Sequence, residues 1–379
     1  MEPIAIDAVS KGDLLDKLAN ILTINEAVSL VSKIHEKSSV LSKGKRFGLY
    51  PIKDWAAFER TKRLEASFWT ADEVEFNDDR NDFNGFTFDE QWPLIMSFGF
   101  FAVGDGSITS MLAYQMIVAA NSFENQMFYA VQLHNEIIHG ETYGKMIYTL
   151  ISDPKKRDEI FNAVENVNSI RAMNEFIEQG FICYDGKKQL YVSLAAAEYL
   201  LFTPLFCIIF WYRAYKKGKI PRIIFSNEQI AKDESAHCEN GCANYCALPD
   251  NQKYTDEEVH AYVDKVVVLV SGFADEVLSR VNLPELTPAN VKQYIRFVAD
   301  DLFYRLDHPK FYNVKNPFAW MNFTDLVPKT NFYEGTVGEY GRFNVVKALR
   351  RAYELCNGIE EKKEKTQVNV YKRAAQTKF

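Results

Sequence analysis

Clustered positive charge is what this 379-residue chain conspicuously lacks: 44 Lys and Arg stand against 51 Asp and Glu, for a net charge of −7. Outside the last stretch, 358–379, no basic patch forms, and phosphate backbones are bound by such patches, so a nucleic-acid partner is not expected. A Gly-rich phosphate loop, a G-x-S-x-G elbow and an HExxH helix are also missing, which removes the common nucleotide-binding, hydrolase and zinc-protease readings. No CxxC pair occurs among the six cysteines. Cys183, Cys207 and Cys356 stand alone, and Cys238, Cys242 and Cys246 recur every fourth residue, a spacing that suits helix packing better than a metal. The opening "MEPIAIDAVSKGDLL" has no basic segment leading into an apolar run, so the expected setting is reducing and cytoplasmic.

Strand signals are scarce as well. Apolar residues instead return at intervals of three and four in "QMFYAVQLHNEIIHGETYGKMIYTLI" and "SNEQIAKDESAHCENGCANYCAL", which predicts an all-α protein. With 47% hydrophobic and 14% aromatic residues there is material for a large single core. Thr255 with Glu258, and Ser226 with Gln229, have capping-box spacing and are read as two helix starts. The segment from 43 to 342 reads as the main domain, 1–42 as an N-terminal helical segment, and 343–379 as a charged extension or tail.

Residues 194–212, "LAAAEYLLFTPLFCIIFWY", approach the length of a membrane span. Glu198 and Pro204 interrupt the run, and no second stretch of comparable apolarity is apparent, so a buried core helix is expected and no membrane. A carboxylate in such a run needs a cation, a proton or a metal.

Two Glu-x-x-His pairs supply the context: Glu136 with His139, and Glu234 with His237. A spacing of three on a helix sets the carboxylate and the imidazole on one face, a turn apart, so both reach one ion. Two such pairs with two lone acids, Glu198 and Asp105 in "FFAVGDG", make four carboxylates and two imidazoles, a donor set suited to two iron or manganese ions. A third pair, Glu257 and His260, sits where acids crowd a helix N-terminus, and surface exposure with the helix dipole accounts for it. Tyr143, one turn beyond His139, falls beside the ligand face; alone it would be a core tyrosine. Phe202, Phe206 and Ile230 fall at helical spacing from ligands and would wall the same pocket.

Those residues lie in longer motifs: "RFGLYPIKDW", "EASFWTADEVEF", "NEIIHGETY", "AAAEYLLF", "FSNEQIAKDESAH", "NPFAWM" and "KTNFYEGTVGEY". In that order they resemble the small, radical-generating subunit of class I ribonucleotide reductase, eukaryotic and viral branch. The resemblance implies a ferritin-like di-metal carboxylate helical bundle with additional helices. It implies that Asp105, Glu136 and His139 bind one metal and Glu198, Glu234 and His237 the other. The cofactor would be two iron ions, oxo-bridged once oxidised, with manganese as an alternative.

The resemblance further implies that O2 reacts at the metals and that Tyr143 becomes a stable tyrosyl radical. Trp69, Asp233 and Tyr340 would relay the oxidising equivalent to a separate large subunit that reduces ribonucleotides. Partners would be a second copy of this chain and that large subunit. The family's tails end acidic with a terminal Phe; here Phe379 is present but the approach to it is basic. An oxidase on the same fold, which would need no relay, is the alternative enzyme; iron storage and a non-catalytic helper subunit are the alternatives outside it.

Overall fold

Helices and short 3-10 turns, with no strand, make up the regular structure among the described residues. The computed structural model describes residues 48–180 and 185–324. The 1–42 segment, the 343–379 extension, Tyr340, Phe379, His35, Cys183 and Cys356 lie outside them.

In chain order the α-helices of four or more residues among the described residues are α1 (Trp55–Ala66), α2 (Asn77–Asn84), α3 (Phe88–Met111), α4 (Phe123–Leu150), α5 (Pro154–Phe161), α6 (Ala163–Asn166), α7 (Asn168–Gly180), α8 (Lys187–Ala195), α9 (Thr203–Tyr215), α10 (Pro221–Cys246), α11 (Asp256–Leu278) and α12 (Pro288–Arg305). A π-helical segment at Ala196–Leu201 joins α8 to α9, and another at Leu112–Met116 follows α3. The long helix α4 packs against α3, α1 and α10, while α10 also packs against α8 and α9, and α9 against α3. Helices α11 and α12 pair with each other and cover the π segment between α8 and α9. The expected all-α bundle with additional helices is what forms.

Local chemistry fixes the helix starts. Thr255 and Glu258 form the predicted capping box: Thr255 Oγ1 accepts from the Glu258 N–H at 3.2 Å, and Glu258 Oε2 accepts from the Thr255 N–H at 2.8 Å. Ser226 is a correction, because it lies inside α10 and its hydroxyl donates to the Ile223 carbonyl at 3.0 Å. The true start of α10 is Pro221, whose missing N–H costs nothing in the first turn. There Asp79, at the far end of a sequence separation of 144 residues, accepts from the Ile223 N–H at 2.7 Å and from the Arg222 N–H at 3.2 Å. A carboxylate borrowed from α2 therefore satisfies two orphan donors and sets the register of α10.

The stretch Lys187–Tyr215 is apolar and long enough to cross a membrane, yet nearly all of it is buried within the protein. It is the core helix that the sequence predicts. A second stretch, Phe88–Ala119, passes the same test, contrary to the expectation of a lone apolar run, and just over half of it is buried. It is the less apolar of the two, and it carries Asp105 as the other carries Glu198. Gly241 on α10 lets α8 approach: a Cβ there would meet Ala195 N and the Tyr191 carbonyl at 3.4 Å. That close approach brings the Glu198 segment against the helix that bears Glu234 and His237.

Candidate metal centre

Four elements deliver the polar groups to one place in the core. Helix α3 brings Asp105, α4 brings Glu136, His139 and Tyr143, the π segment brings Glu198, and α10 brings Asp233, Glu234 and His237. All eight side chains are buried. The π turn at Glu198 adds a residue to the helical repeat, and it abuts Pro204, which has no N–H to return to the Leu200 carbonyl. The irregularity expected at Pro204 is thus a widened turn just before it, at the carboxylate.

One ligand atom each from Glu136, Glu198, Glu234 and His237 lies within 4.8 Å of the others. His237 Nδ1 is 3.0 Å from Glu136 Oε1, 3.1 Å from Glu234 Oε2 and 3.9 Å from Glu198 Oε2. His139 Nδ1 stands 2.9 Å from Glu234 Oε1 and 3.4 Å from Glu136 Oε2, so Glu136 and Glu234 each face both imidazoles. Asp105 stands beside them: burial raises its carboxyl well above the ordinary carboxylate range, and the Glu136 charge raises it further.

The electrostatics of the cluster are those of a buried site short of positive charge. Burial and then the Glu136 and Glu234 carboxylates push Glu198 well up as well. Burial opposes a charged imidazole at His237, but Glu136 and Glu234 outweigh it and push it up to about 9. His139 is raised against burial by Glu234, Asp233 and Glu136, and Glu234, despite burial, is held below its ordinary value by the two imidazoles. Protons and imidazolium charge thus supply the positive counterpart that four buried carboxylates demand.

Whether metal ions fit is tested by the orphaned atoms. Both oxygens of Asp105 and Glu198 Oε2 are buried without a hydrogen-bond partner, and the buried oxygens of Glu136 and Glu234 Oε1 have only the two imidazoles beside them. Native proteins rarely leave such groups unsatisfied, and a cluster of oxygen and nitrogen donors without a partner is what iron or manganese coordinates. The residues present fit a di-metal group.

Beyond the donors, His139 Nε2 lies 3.2 Å from Asp233 Oδ2, and the same oxygen accepts the Trp69 indole N–H at 2.8 Å. The indole also stacks against the His139 ring at an interplanar angle of 21°, with centroids 6.1 Å apart. The structure thus brings Trp69, Asp233 and His139 into one hydrogen-bonded line, which fixes the imidazole with Nδ1 toward the carboxylates. Trp69 is nearly buried, whereas its neighbour Phe68 is 45% exposed.

Tyr143 is fully buried, and its ring stacks on Phe101 at 4.7 Å with Phe98 at 6.2 Å. Phe202 and Phe206, expected to line this pocket, pack against Phe101 at 5.3 and 4.9 Å and so form the second layer of its wall. Burial, then Asp105, Glu234 and Glu136, keep the phenol protonated.

Three residues escaped the sequence reading. Gln132 donates to Glu198 Oε1 at 2.5 Å, Asn227 accepts the Tyr143 hydroxyl at 2.8 Å, and Phe101 is the principal wall of the tyrosine. Each sits four or seven residues before a ligand (Glu136, Glu234 and Asp105 in turn), on the same helical face, and that spacing was the available signal.

Of the residues set aside earlier, His260 lies 3.0 Å from the Pro309 carbonyl through Nε2, while Glu257 is exposed, so the third Glu-x-x-His pair is a surface feature. His134, on the same helix as His139 but five residues before it, is exposed and stacks on Phe68, away from the cluster. Cys238 and Cys242 are buried, with sulfurs 3.8 Å apart, and pack as predicted.

Residues 46–317 match the family described as "Ribonucleotide reductase, small chain". The protein is 33% identical over 315 residues to a ribonucleoside-diphosphate reductase small chain of Arabidopsis thaliana, covering 83% of this chain and 91% of that one. It is 34% identical over 301 residues to the ribonucleoside-diphosphate reductase small chain of vaccinia virus (strain Western Reserve), covering 79% and 93%. Among solved structures, the ribonucleotide reductase Rnr4 homodimer from Saccharomyces cerevisiae superposes with a TM-score of 0.62 at 25% identity, covering 79% of this chain and 96% of that one. Dimanganese(II)-NrdF of Streptococcus sanguinis shares the fold, with a TM-score of 0.63 at 16% identity over 71% of this chain and 94% of that one.

Proposed function

This chain belongs to the ribonucleotide reductase small-chain family, an oxidoreductase family of ferritin-like helical fold, and from that premise we propose how its own residues serve the reaction. Asp105, Glu136 and His139 hold one metal, and Glu198, Glu234 and His237 the other. The observation that carries this is the gathering of four buried carboxylates about two imidazoles, with Asp105 and Glu198 Oε2 left without a hydrogen-bond partner. When bound, two iron ions supply one-electron oxidation by O2 that no side chain can perform alone; manganese suits the same donors.

The chain's own groups then do three things. Asp233 holds His139 by its Nε2 side, which presents Nδ1 to the metal and keeps the ring from turning. Phe98 and Phe101 exclude water from Tyr143, the residue that gives up an electron and its phenolic proton and persists as a radical. Trp69, joined to His139 through Asp233, begins the path by which the oxidising equivalent leaves the site through Tyr340 for a separate large subunit where the ribonucleotide is reduced, the electron passing back along the same path to Tyr143.

The functional unit is residues 43–342, with 1–42 and 343–379 as its flanks, and its setting is the cytoplasm. The protein works as a homodimer, as its yeast relative was solved. The outward face of α4 suits a second copy, since Ile137 is exposed and neither Gly140 nor Gly144 has a neighbour within 4 Å of an added Cβ.

The test is to load metal-free protein with Fe(II) under anaerobic conditions, admit O2 and record electron paramagnetic resonance. Wild type should give a tyrosyl signal that Tyr143→Phe lacks while binding the same amount of iron. A signal that survives in Tyr143→Phe, or iron that fails to bind, refutes the assignment.

A further inference from the structure

The phenol of Tyr143 is not hydrogen-bonded to the carboxylate cluster. Its hydroxyl donates to Asn227 Oδ1 at 2.8 Å, while both oxygens of Asp105 are without a hydrogen-bond partner. Asn227 is fully buried on α10, two turns before Glu234. Its amide has a definite orientation, because Nδ2 donates to the Ile223 carbonyl at 2.8 Å and only an NH2 group can do so. The end of the amide that meets the phenol is therefore the acceptor end.

We propose that Asn227 is a positioning residue that ties Tyr143 to its reduced, protonated form and sets how easily the radical forms and how long it lasts. This rests on the reading of Tyr143 as the radical site. On oxidation the phenol O–H is the one bond that breaks; one electron leaves to the oxidised metal pair and the proton to the carboxylate shell beside it. The amide oxygen is far too weak a base to keep that proton. It is left facing the phenoxyl oxygen, two acceptors with no hydrogen between them.

Turning the amide over would offer N–H to the phenoxyl but would give up the bond to Ile223 and set two carbonyl oxygens against each other where no water reaches. The Ile223 anchor thus keeps Asn227 an acceptor in both states. The hydrogen bond then favours the phenol alone, and the protein holds a tyrosine that is harder to oxidise and quicker to be re-reduced than one in an apolar pocket.

Asn227→Leu keeps the branching of the side chain and removes the acceptor, and the smaller Asn227→Val guards against a leucine that does not fit. Losing one buried neutral hydrogen bond shifts the balance between phenol and radical by about tenfold toward the radical. The first measurement needs no metal. In tyrosine-ring-labelled, metal-free protein, the infrared C–O stretch assigned to Tyr143 by difference against Tyr143→Phe should move from a hydrogen-bonded to a free phenol position in both variants. The second is made after iron and O2: the radical's half-life, at equal iron content, should lengthen about tenfold in both variants, and high-field resonance should show no exchangeable proton on the wild-type radical that the variants lose.

An unmoved infrared band, an unchanged or shortened half-life, or an exchangeable proton lost in the variants overturns the inference. No radical even in wild type, with the infrared shift present, instead removes the radical reading on which it rests and with it the redox role, while leaving the hydrogen bond standing.

Discussion

Raising the pH of the metal-free protein tests the electrostatics of the cluster directly. His237 is pushed up to about 9 from an ordinary 6.5, because the Glu136 and Glu234 carboxylates at 3.0 and 3.1 Å outweigh burial. A folded-state pKa above the unfolded value means stability that is fully present below pH 6.5 and is lost as pH climbs through about 9. At 1.36 kcal/mol for each pH unit, that gap amounts to about 3 kcal/mol from this one imidazole. His139, Asp105 and Glu198 are all raised too, so each loses its proton more readily in the unfolded chain and acts with the same sign. Urea unfolding of chelator-treated protein at pH 6.5, 7.5 and 9 should therefore show a falling free energy, with a shallower fall in His237→Gln. With excess Mn(II), which competes with those protons, the fall should be offset or reversed, because metal affinity rises with pH. Unfolding free energies that are flat or rising from pH 6.5 to 9 in the metal-free protein, or a slope unaltered in His237→Gln, would refute the reasoning.

Asp233→Ala removes the one oxygen that engages both the Trp69 indole and His139; metal affinity measured by competition with a chromophoric chelator should fall by about 10–100-fold. Phe101→Ala should cost about 3–5 kcal/mol in chemical denaturation and, by opening the wall of Tyr143, shorten the radical's half-life. Asp79→Ala strips the cap from α10 and should lower stability by about 1–2 kcal/mol, with amide exchange at Arg222 and Ile223 accelerated ahead of the rest of the helix.

The parts of the fold legible in the sequence were those written within a few residues. Thr255 and Glu258 close their box across one turn, and the two Glu-x-x-His pairs need only helical geometry to put both ligands on one face. Ser226 with Gln229 has the same spacing as Thr255 with Glu258 and means nothing, because Pro221 and the distant Asp79 had already started that helix five residues earlier. A capping box is informative only where the preceding turn is free to be non-helical, and for α10 the carboxylate that helps to decide this, Asp79, lies more than 140 positions upstream.

Glu198 marks the same boundary within the site. That a carboxylate in "AAAEYLLF" required a partner followed from desolvation alone, and the surplus of buried acids over bases then pointed to metal. Its neighbours did not follow, since Gln132 is 66 residues away and the π turn that carries Glu198 changes the helical phase on which any spacing argument depends. Phe202, four residues on from Glu198, reaches the pocket through an intermediary: its ring packs on Phe101, the ring that stacks on Tyr143. The ligands were legible because each needs only its own burial to be anomalous, whereas the wall and the hydrogen bonds of Tyr143 depend on how α3, α4 and α10 meet, and that is settled only when the helices close.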